Sequence, residues 1–143
     1  MRGFTLLELM IVIAVLGILA AVLIVNLQGV SREAKTSVAK SDLRTLKTAL
    51  ILYESHFNSL PPQSTWESSL QADRPRIIDR VPQDPFSQEG EKYIYKLNTD
   101  SPAGKTYVVL SVGENGKDDT LVFYDRVNKG EDDLIATNAR VIE

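Results

Sequence analysis

The sequence predicts an α+β protein in which one long N-terminal helix precedes a small three-stranded antiparallel sheet. An almost unbroken apolar run extends over residues 4–25. Residues 30–57 contain no proline or glycine, and their large apolar side chains recur at steps of three and four, the spacing of one helical face. Three segments rich in β-branched and aromatic residues follow, separated by polar loops that contain glycine.

The long helix is predicted over residues 4–57, and it should end before Pro61 and Pro62. Its first half is all apolar, and its second half is amphipathic. We therefore expect the first half to act as an anchor and the second half to pack on a globular domain. The apolar face of that second half consists of Leu43, Leu46, Leu50, Tyr53 and Phe57.

The sheet is predicted from residues 93–97, 106–112 and 120–124, joined as an antiparallel meander. One apolar face of this meander should lie against the amphipathic half of the helix. Before the strands, Trp66 and Leu70 predict a short helical turn inside an otherwise irregular stretch. The sequence after residue 134 has no clear assignment, because it could add a strand or stay loose.

Residues 4–25 also fit the dimensions of a bilayer. About 22 helical residues span roughly 30 Å of hydrocarbon. Glu8 is the single acid in this run, and the next charge is Arg32. A carboxylate at the centre of a bilayer is unfavourable by roughly 2.5–3.5 kcal/mol on insertion scales, so we expect Glu8 to have a partner.

The N-terminal residues Arg2, Gly3, Phe4 and Glu8 resemble the processing site of type IV pilins and type II secretion pseudopilins. The resemblance implies that a prepilin peptidase cuts between Gly3 and Phe4 and that the new N-terminal Phe4 is methylated. It also implies a pilin fold, whose helix is first a membrane anchor and later the core of a filament. The expected organisation is a leader at 1–3, a transmembrane and filament-core helix at 4–29, and a periplasmic domain at 30–143.

Cleavage would create an ammonium group on Phe4, one helical turn from Glu8. Glu8 could pair with this group in its own subunit or with Phe4 of a stacked neighbour, and the resemblance implies the second pairing, which sets the register of the filament. The plainer alternative is that Glu8 sits near the lipid headgroups.

Composition excludes several classes of function. The chain has no cysteine and therefore no disulfide framework, and its net charge of −3 argues against a nucleic-acid surface. The sequence contains no glycine-rich phosphate loop, GxSxG motif or cluster of histidine and cysteine. We predict no catalytic activity.

Acidic residues are concentrated between residues 114 and 133, where seven acids stand against three bases. Such loops repel each other unless a cation neutralises them, and calcium suits them because it accepts six to eight oxygen ligands in flexible geometry. The region resembles the calcium loop of the major pseudopilin of type II secretion, beginning at Ser111, Val112 and Gly113. The resemblance implies calcium ligands at Asp133, Asp132, Asn115 and Asp118. The alternative is a pair of solvated acidic loops without an ion.

These features predict a subunit most similar to the major pseudopilin, anchored once in the bacterial inner membrane with its domain in the periplasm. The resemblance implies self-assembly into a pseudopilus that supports type II secretion, with the prepilin peptidase, an inner-membrane assembly platform, minor pseudopilins and lipid as partners. A type IV pilin for motility, adhesion or DNA uptake is one alternative. A permanently tethered periplasmic enzyme or sensor is another.

Overall fold

The computed structural model describes residues 4–72, 76–87, 90–99, 104–122, 126–130 and 132–142. The chain divides into two compact units, one ending at Lys35 and the other beginning at Thr36. One continuous helix, α1 (Leu6–Phe57), contributes residues to both units. Among the described residues, no helix combines the length and the apolar character needed to cross a membrane.

The predicted long helix is confirmed to within two residues at its start, and its end is the predicted one. Asn58 follows with a positive φ of 51°, the left-handed conformation that commonly terminates helices and that asparagine tolerates better than most residues. In the first unit, every large apolar side chain from Phe4 to Leu19 is exposed. The isolated subunit therefore presents an uncovered apolar surface along this stretch.

The second unit adds a short helix, α2, and two sheets to the rest of α1. Helix α2 spans Trp66–Gln71, as the sequence predicted. The strands in the described part are β1 (Ile94–Asn98), β2 (Thr106–Ser111), β3 (Leu121–Val122), β4 (Arg126–Asn128), β5 (Leu134–Thr137) and β6 (Arg140–Ile142). One sheet has the order β1-β2-β5 and is antiparallel throughout. The other has the order β3-β4-β6, with β4 and β6 parallel.

A small antiparallel sheet of three strands is thus confirmed, but the meander that was predicted for it is wrong. The predicted strand at 120–124 is present only as Leu121–Val122 in its described part, and it pairs with β4 in the second sheet. The third strand of the first sheet is β5, which pairs Val109 with Ala136 and Leu110 with Ile135. Apart from Leu134, it comes from the segment after residue 134 that the sequence left unassigned.

The burial of β2 explains this arrangement. All six of its residues are buried, so other elements must pack on both faces of the strand. Tyr107 and Val109 belong to the core that contains α1, whereas Val108 and Leu110 pack in a second cluster with Val127 of β4. The pair of strands β3 and β4 therefore packs on the outer face of the first sheet. The edge of β2 that does not pair with β1 is then available to β5.

The larger core holds the helix on the sheet, as predicted. Leu43, Leu46 and Leu50 of α1 are buried in one cluster with residues of β1, β2 and β5. Burying each such leucine contributes about 1.5–3 kcal/mol. Trp66 of α2 is buried and stacks on Tyr95 with ring centroids 5.4 Å apart, so it is a packing residue of this core. This core holds the first sheet in place. It thereby positions the end of β2 and the start of β5, between which the acidic loops lie in the sequence.

Candidate functional site

The first turn of α1 is closed by a reciprocal pair of hydrogen bonds between Thr5 and Glu8. The Glu8 amide donates to Thr5 Oγ1 at 3.3 Å, and the Thr5 amide donates to Glu8 Oε2 at 2.9 Å. The Thr5 hydroxyl also donates to Glu8 Oε2 at 2.9 Å. This is a capping box, which satisfies helix N–H groups that otherwise lack partners.

Sequence reasoning found Glu8 but missed Thr5. The available signal was the spacing of a threonine and a glutamate three residues apart immediately before an apolar run. Phe4 is exposed at the start of this turn, whereas Gly3, the other predicted processing residue, lies outside the described residues. Glu8 is exposed in this single chain, so its carboxylate is accessible to a partner from another molecule.

The second site lies where the loop after β2 meets the residues before β5, and Asp133 is at its centre. Asp133 is 0% exposed. Its Oδ2 accepts hydrogen bonds from Thr120 Oγ1 at 2.6 Å and from the Asp119 amide at 3.2 Å. Its Oδ1 is buried and has no hydrogen-bond partner among the described residues.

Burial raises the pKa of the Asp133 carboxyl above its ordinary value. The hydrogen bonds from Thr120 and from the Asp119 amide oppose this effect, because they favour the charged carboxylate. The neighbouring charges of Asp118 and Asp132 act with burial and raise the pKa further. Without a counter-charge, the site therefore disfavours the ionised form of its central acid.

Asp132 joins the two loops. Its Oδ2 accepts a hydrogen bond from the Asn115 amide at 2.7 Å, and its Oδ1 is a second buried oxygen without a partner in the described part of the chain. The loops approach so closely at Gly113 that a β-carbon there would lie 2.4 Å from the Asp132 carbonyl oxygen. Gly113 also has a φ of +64°, so both space and backbone conformation require glycine.

The remaining predicted ligands already have partners. Asn115 donates from Nδ2 to Asp119 Oδ2 at 3.0 Å and accepts from the Lys117 amide at 2.7 Å. Asp118 Oδ1 accepts from Lys96 Nζ at 2.6 Å. Asn115, Asp132 and Asp133 thus share one hydrogen-bonded cluster, whereas Asp118 forms an ion pair with a lysine of β1.

Three further contributors were not predicted as site residues. Asp119 and Thr120 hold Asn115 and Asp133, and Lys96 also donates to the Thr120 carbonyl at 2.7 Å. Asp119 and Thr120 stand next to the predicted Asp118, so their adjacency was a usable signal. Lys96 is more than twenty positions away in the chain, and only the strand pairing brings it near.

A buried carboxylate from the segment before β1 also supports this region. Asp84 is 4% exposed and accepts hydrogen bonds from Ser111 Oγ at 2.8 Å and from the Val112 amide at 3.1 Å. These contacts fix the chain where β2 ends and the acidic loop begins. Asp84 was not predicted as a site residue.

The donor chemistry of the cluster suits a hard cation that binds oxygen, because its two unpartnered buried atoms are both carboxylate oxygens. Within the described residues, however, no group of three or more histidine, cysteine, aspartate or glutamate side chains is arranged to hold a metal ion. A cation here would therefore also need carbonyl, amide or water oxygens.

Comparison with known proteins gives two family matches. Residues 1–24 match the prokaryotic N-terminal methylation motif, and residues 26–129 match the family described as type II secretion system protein G. No solved structure matches significantly.

Curated relatives carry the same description. The type II secretion system core protein G of Escherichia coli strain K12 is 34% identical over 136 residues, which cover 95% of this chain and 86% of the relative. The proteins of the same name from Aeromonas hydrophila and Pectobacterium carotovorum are 39% and 38% identical, over 82% and 81% of this chain and 78% and 70% of their own lengths. The chain therefore belongs to the type II secretion system protein G family.

Proposed function

We propose that this chain is a structural subunit of a pseudopilus that supports type II protein secretion. The observation that carries this function is the match of residues 26–129 to protein G of that system, preceded by the methylation motif at 1–24. The match favours secretion over the motility, adhesion or DNA-uptake alternative. It also favours a structural role over a permanently tethered enzyme or sensor.

The N-terminus is processed between Gly3 and Phe4 by a prepilin peptidase, and the new amine of Phe4 is methylated. Glu8 then pairs with the amine of Phe4 in a neighbouring subunit. The capping box is compatible with this pairing, because an ionised carboxylate offers about four lone-pair sites. Thr5 occupies only part of that capacity and holds the carboxylate in a fixed position at the helix start.

The exposed apolar surface between Phe4 and Leu19 supplies the driving force for anchoring and assembly. In the monomer, lipid of the inner membrane covers this surface, and the domain that begins near residue 30 lies in the periplasm. In the filament, neighbouring helices replace the lipid, so van der Waals packing between helices replaces contacts with acyl chains. The assembly platform and the minor pseudopilins act on this helix.

The acidic cluster binds calcium. Asp132 and Asp133 supply the two unpartnered buried oxygens, and Asn115 and Asp118 are the further ligands. The bound ion would supply positive charge to carboxylates that now repel each other. Lys96 partly supplies this charge already, since it pairs with Asp118.

Replacement of the native protein G tests the function. The full chain is expressed in a bacterium whose type II secretion system lacks its own protein G, and the exported substrate is measured. We expect secretion to be restored and the mature chain to begin at a methylated Phe4 in mass spectra. A Gly3→Leu variant is the control, because it keeps the helix but blocks the cut. An intact N-terminus in the wild-type chain, or restored secretion by the control, would contradict the proposal.

Calcium is tested by thermal unfolding of the full chain in detergent micelles, first with calcium and then with a chelator. We expect the melting temperature to rise with calcium. An Asp132→Asn, Asp133→Asn double variant should lose this rise, and an unchanged melting temperature of the wild type would remove the ion from the proposal.

A further inference from the structure

Asn115 and Gly116 lie at the exposed tip of the acidic loop. Gly116 has a φ of +67°, and a β-carbon built there would meet nothing within 4 Å. Gly116 has no side chain, and no neighbouring element of the described structure lies close to it. The peptide bond between Asn115 and Gly116 is therefore accessible.

One hydrogen bond of Asn115 activates its amide for attack by the peptide nitrogen that follows. The Lys117 amide donates to Asn115 Oδ1 at 2.7 Å, so the side chain forms an Asx turn and its carbonyl is polarised. Among the described residues, none accepts a hydrogen bond from the Gly116 amide. The attacking nitrogen thus gives up no protein partner when it loses its proton.

We propose that Asn115-Gly116 is a site of spontaneous deamidation. The Gly116 nitrogen loses its proton and bonds to Asn115 Cγ, the Cγ–Nδ2 bond breaks, and Nδ2 leaves as ammonia after taking up a proton. The product is a five-membered succinimide. Water then opens this ring at one of its two carbonyls, which gives aspartate or isoaspartate at position 115. No oxidation or reduction occurs, and the only co-reactant is water.

The reaction adds one carboxylate to the acidic cluster. The Asn115 Nδ2 that donates to Asp119 Oδ2 at 3.0 Å becomes an oxygen that repels it. Asp132, whose Oδ2 holds the Asn115 amide, lies next to the same new charge. The aspartate product should therefore be less stable without a cation and more responsive to one. This consequence rests on the proposed calcium site, whereas the deamidation itself does not.

Peptide mass spectrometry of the aged full chain tests the reaction. The protein is incubated in micelles at mildly alkaline pH and digested with trypsin. Residues 106–117 then form a peptide whose single asparagine is Asn115, and residues 97–105 form one whose single asparagine is Asn98, followed by Thr99. We expect the mass gain of replacing NH2 by OH, and isoaspartate, to accumulate faster in the first peptide. Equal rates in the two peptides, or no gain at 115, would overturn the proposal.

Two variants sharpen the result. A glutamine side chain is one methylene longer and cannot form the five-membered ring, so an Asn115→Gln variant should lose the mass gain at this peptide while Asn98 is unchanged. An Asn115→Asp variant represents the product and should show a larger calcium-dependent rise in melting temperature than the wild type. A smaller rise would count against the calcium site, and the mass spectra would still decide on deamidation.

Discussion

Glu8 and Asp133 are the two acids for which we propose roles in assembly and in calcium binding, and their surroundings are opposite. Glu8 stands within an apolar run, yet its side chain is exposed and receives two hydrogen bonds from Thr5. Asp133 stands within an acidic, polar run, yet it is 0% exposed and one of its oxygens has no partner in the described structure. The polarity of the neighbouring residues in the sequence therefore does not indicate which of the two acids is buried in the single chain.

The two acids differ in which part of the structure or assembly can bury them. Asp133 is buried by the tertiary structure of its own unit, between the loop after β2 and the start of β5. Glu8 belongs to the helix stretch from Phe4 to Leu19, whose large apolar side chains are exposed in the described structure. In the proposed function, lipid or other subunits would desolvate Glu8, so its role in assembly would add to its part in the capping box. Substitutions at the two positions should separate assembly from folding.

The largest effect is expected from Glu8→Leu. This variant should insert and fold but should fail to form filaments, because no carboxylate remains to meet the Phe4 amine of a neighbour. Filament formation is measured by sedimentation and electron microscopy, and folding by the melting temperature of the full chain in micelles. Glu8→Gln keeps the acceptor oxygen without the charge, so it should assemble poorly. Normal filaments from Glu8→Leu would overturn the role of this acid.

Asp133→Ala is expected to affect folding rather than assembly, because it should destabilise the fold. The substitution leaves the Thr120 hydroxyl and the Asp119 amide without their acceptor, at a cost of about 1–3 kcal/mol in unfolding free energy. Chemical unfolding in micelles with a chelator measures this loss. Asp79→Ala is the matched control, because the Asp79 side chain is 93% exposed and its pair with Arg76 is a surface ion pair. Equal effects of the two variants would show that Asp133 is not structurally important.

The helices were easier to predict from the sequence than the strand pairing and the contacts of the acidic site, and the reasons are physical. The span of α1 and its packing face were predictable because helical periodicity is a local property. The short helix α2 was also predictable, since Trp66 and Leu70 stand at helical spacing. The membership of β5 in the first sheet was not, because strand pairing is decided by which elements compete for the edge of β2. The resemblance to the pseudopilin calcium loop pointed to Asn115 and Asp133, but nothing local in the sequence pointed to the contact of Lys96 with Asp118.

A pH dependence should follow from Asp133 in the absence of calcium. Its folded-state pKa is raised above the ordinary value of about 3.9 by burial. The stability linked to this shift is fully present below the unfolded pKa and is lost as pH rises through the folded pKa. The melting temperature of the wild type minus that of Asp133→Asn should therefore fall as the pH increases above the ordinary pKa of about 3.9. Calcium should weaken or reverse this trend, since it favours the ionised form. A constant difference across this range would contradict the shift.

A smaller effect is expected from Thr5→Ala, which removes the hydroxyl of the capping box. Loss of such a cap costs about 0.5–2 kcal/mol of helix stability. Hydrogen exchange of the Glu8 amide should become faster, because that amide donates to Thr5 Oγ1. Thr5→Ser keeps the hydroxyl and should exchange like the wild type. Unchanged exchange in Thr5→Ala would show that the capping box is not formed in the mature protein.

The smallest effect is expected from Lys96→Met. Lys96 and Asp118 are both partly exposed, and pairs of this kind contribute about 0.2–1 kcal/mol. Without calcium, the variant should be slightly less stable than the wild type. With calcium, its melting temperature should rise by more than that of the wild type, because the ion no longer competes with an ammonium group for Asp118. Lys92→Met is the matched control, because it removes another lysine that pairs with an acid, Glu67, outside the acidic loops. A smaller rise in Lys96→Met than in Lys92→Met would mean that Lys96 assists the ion, and Asp118 would then not be a ligand.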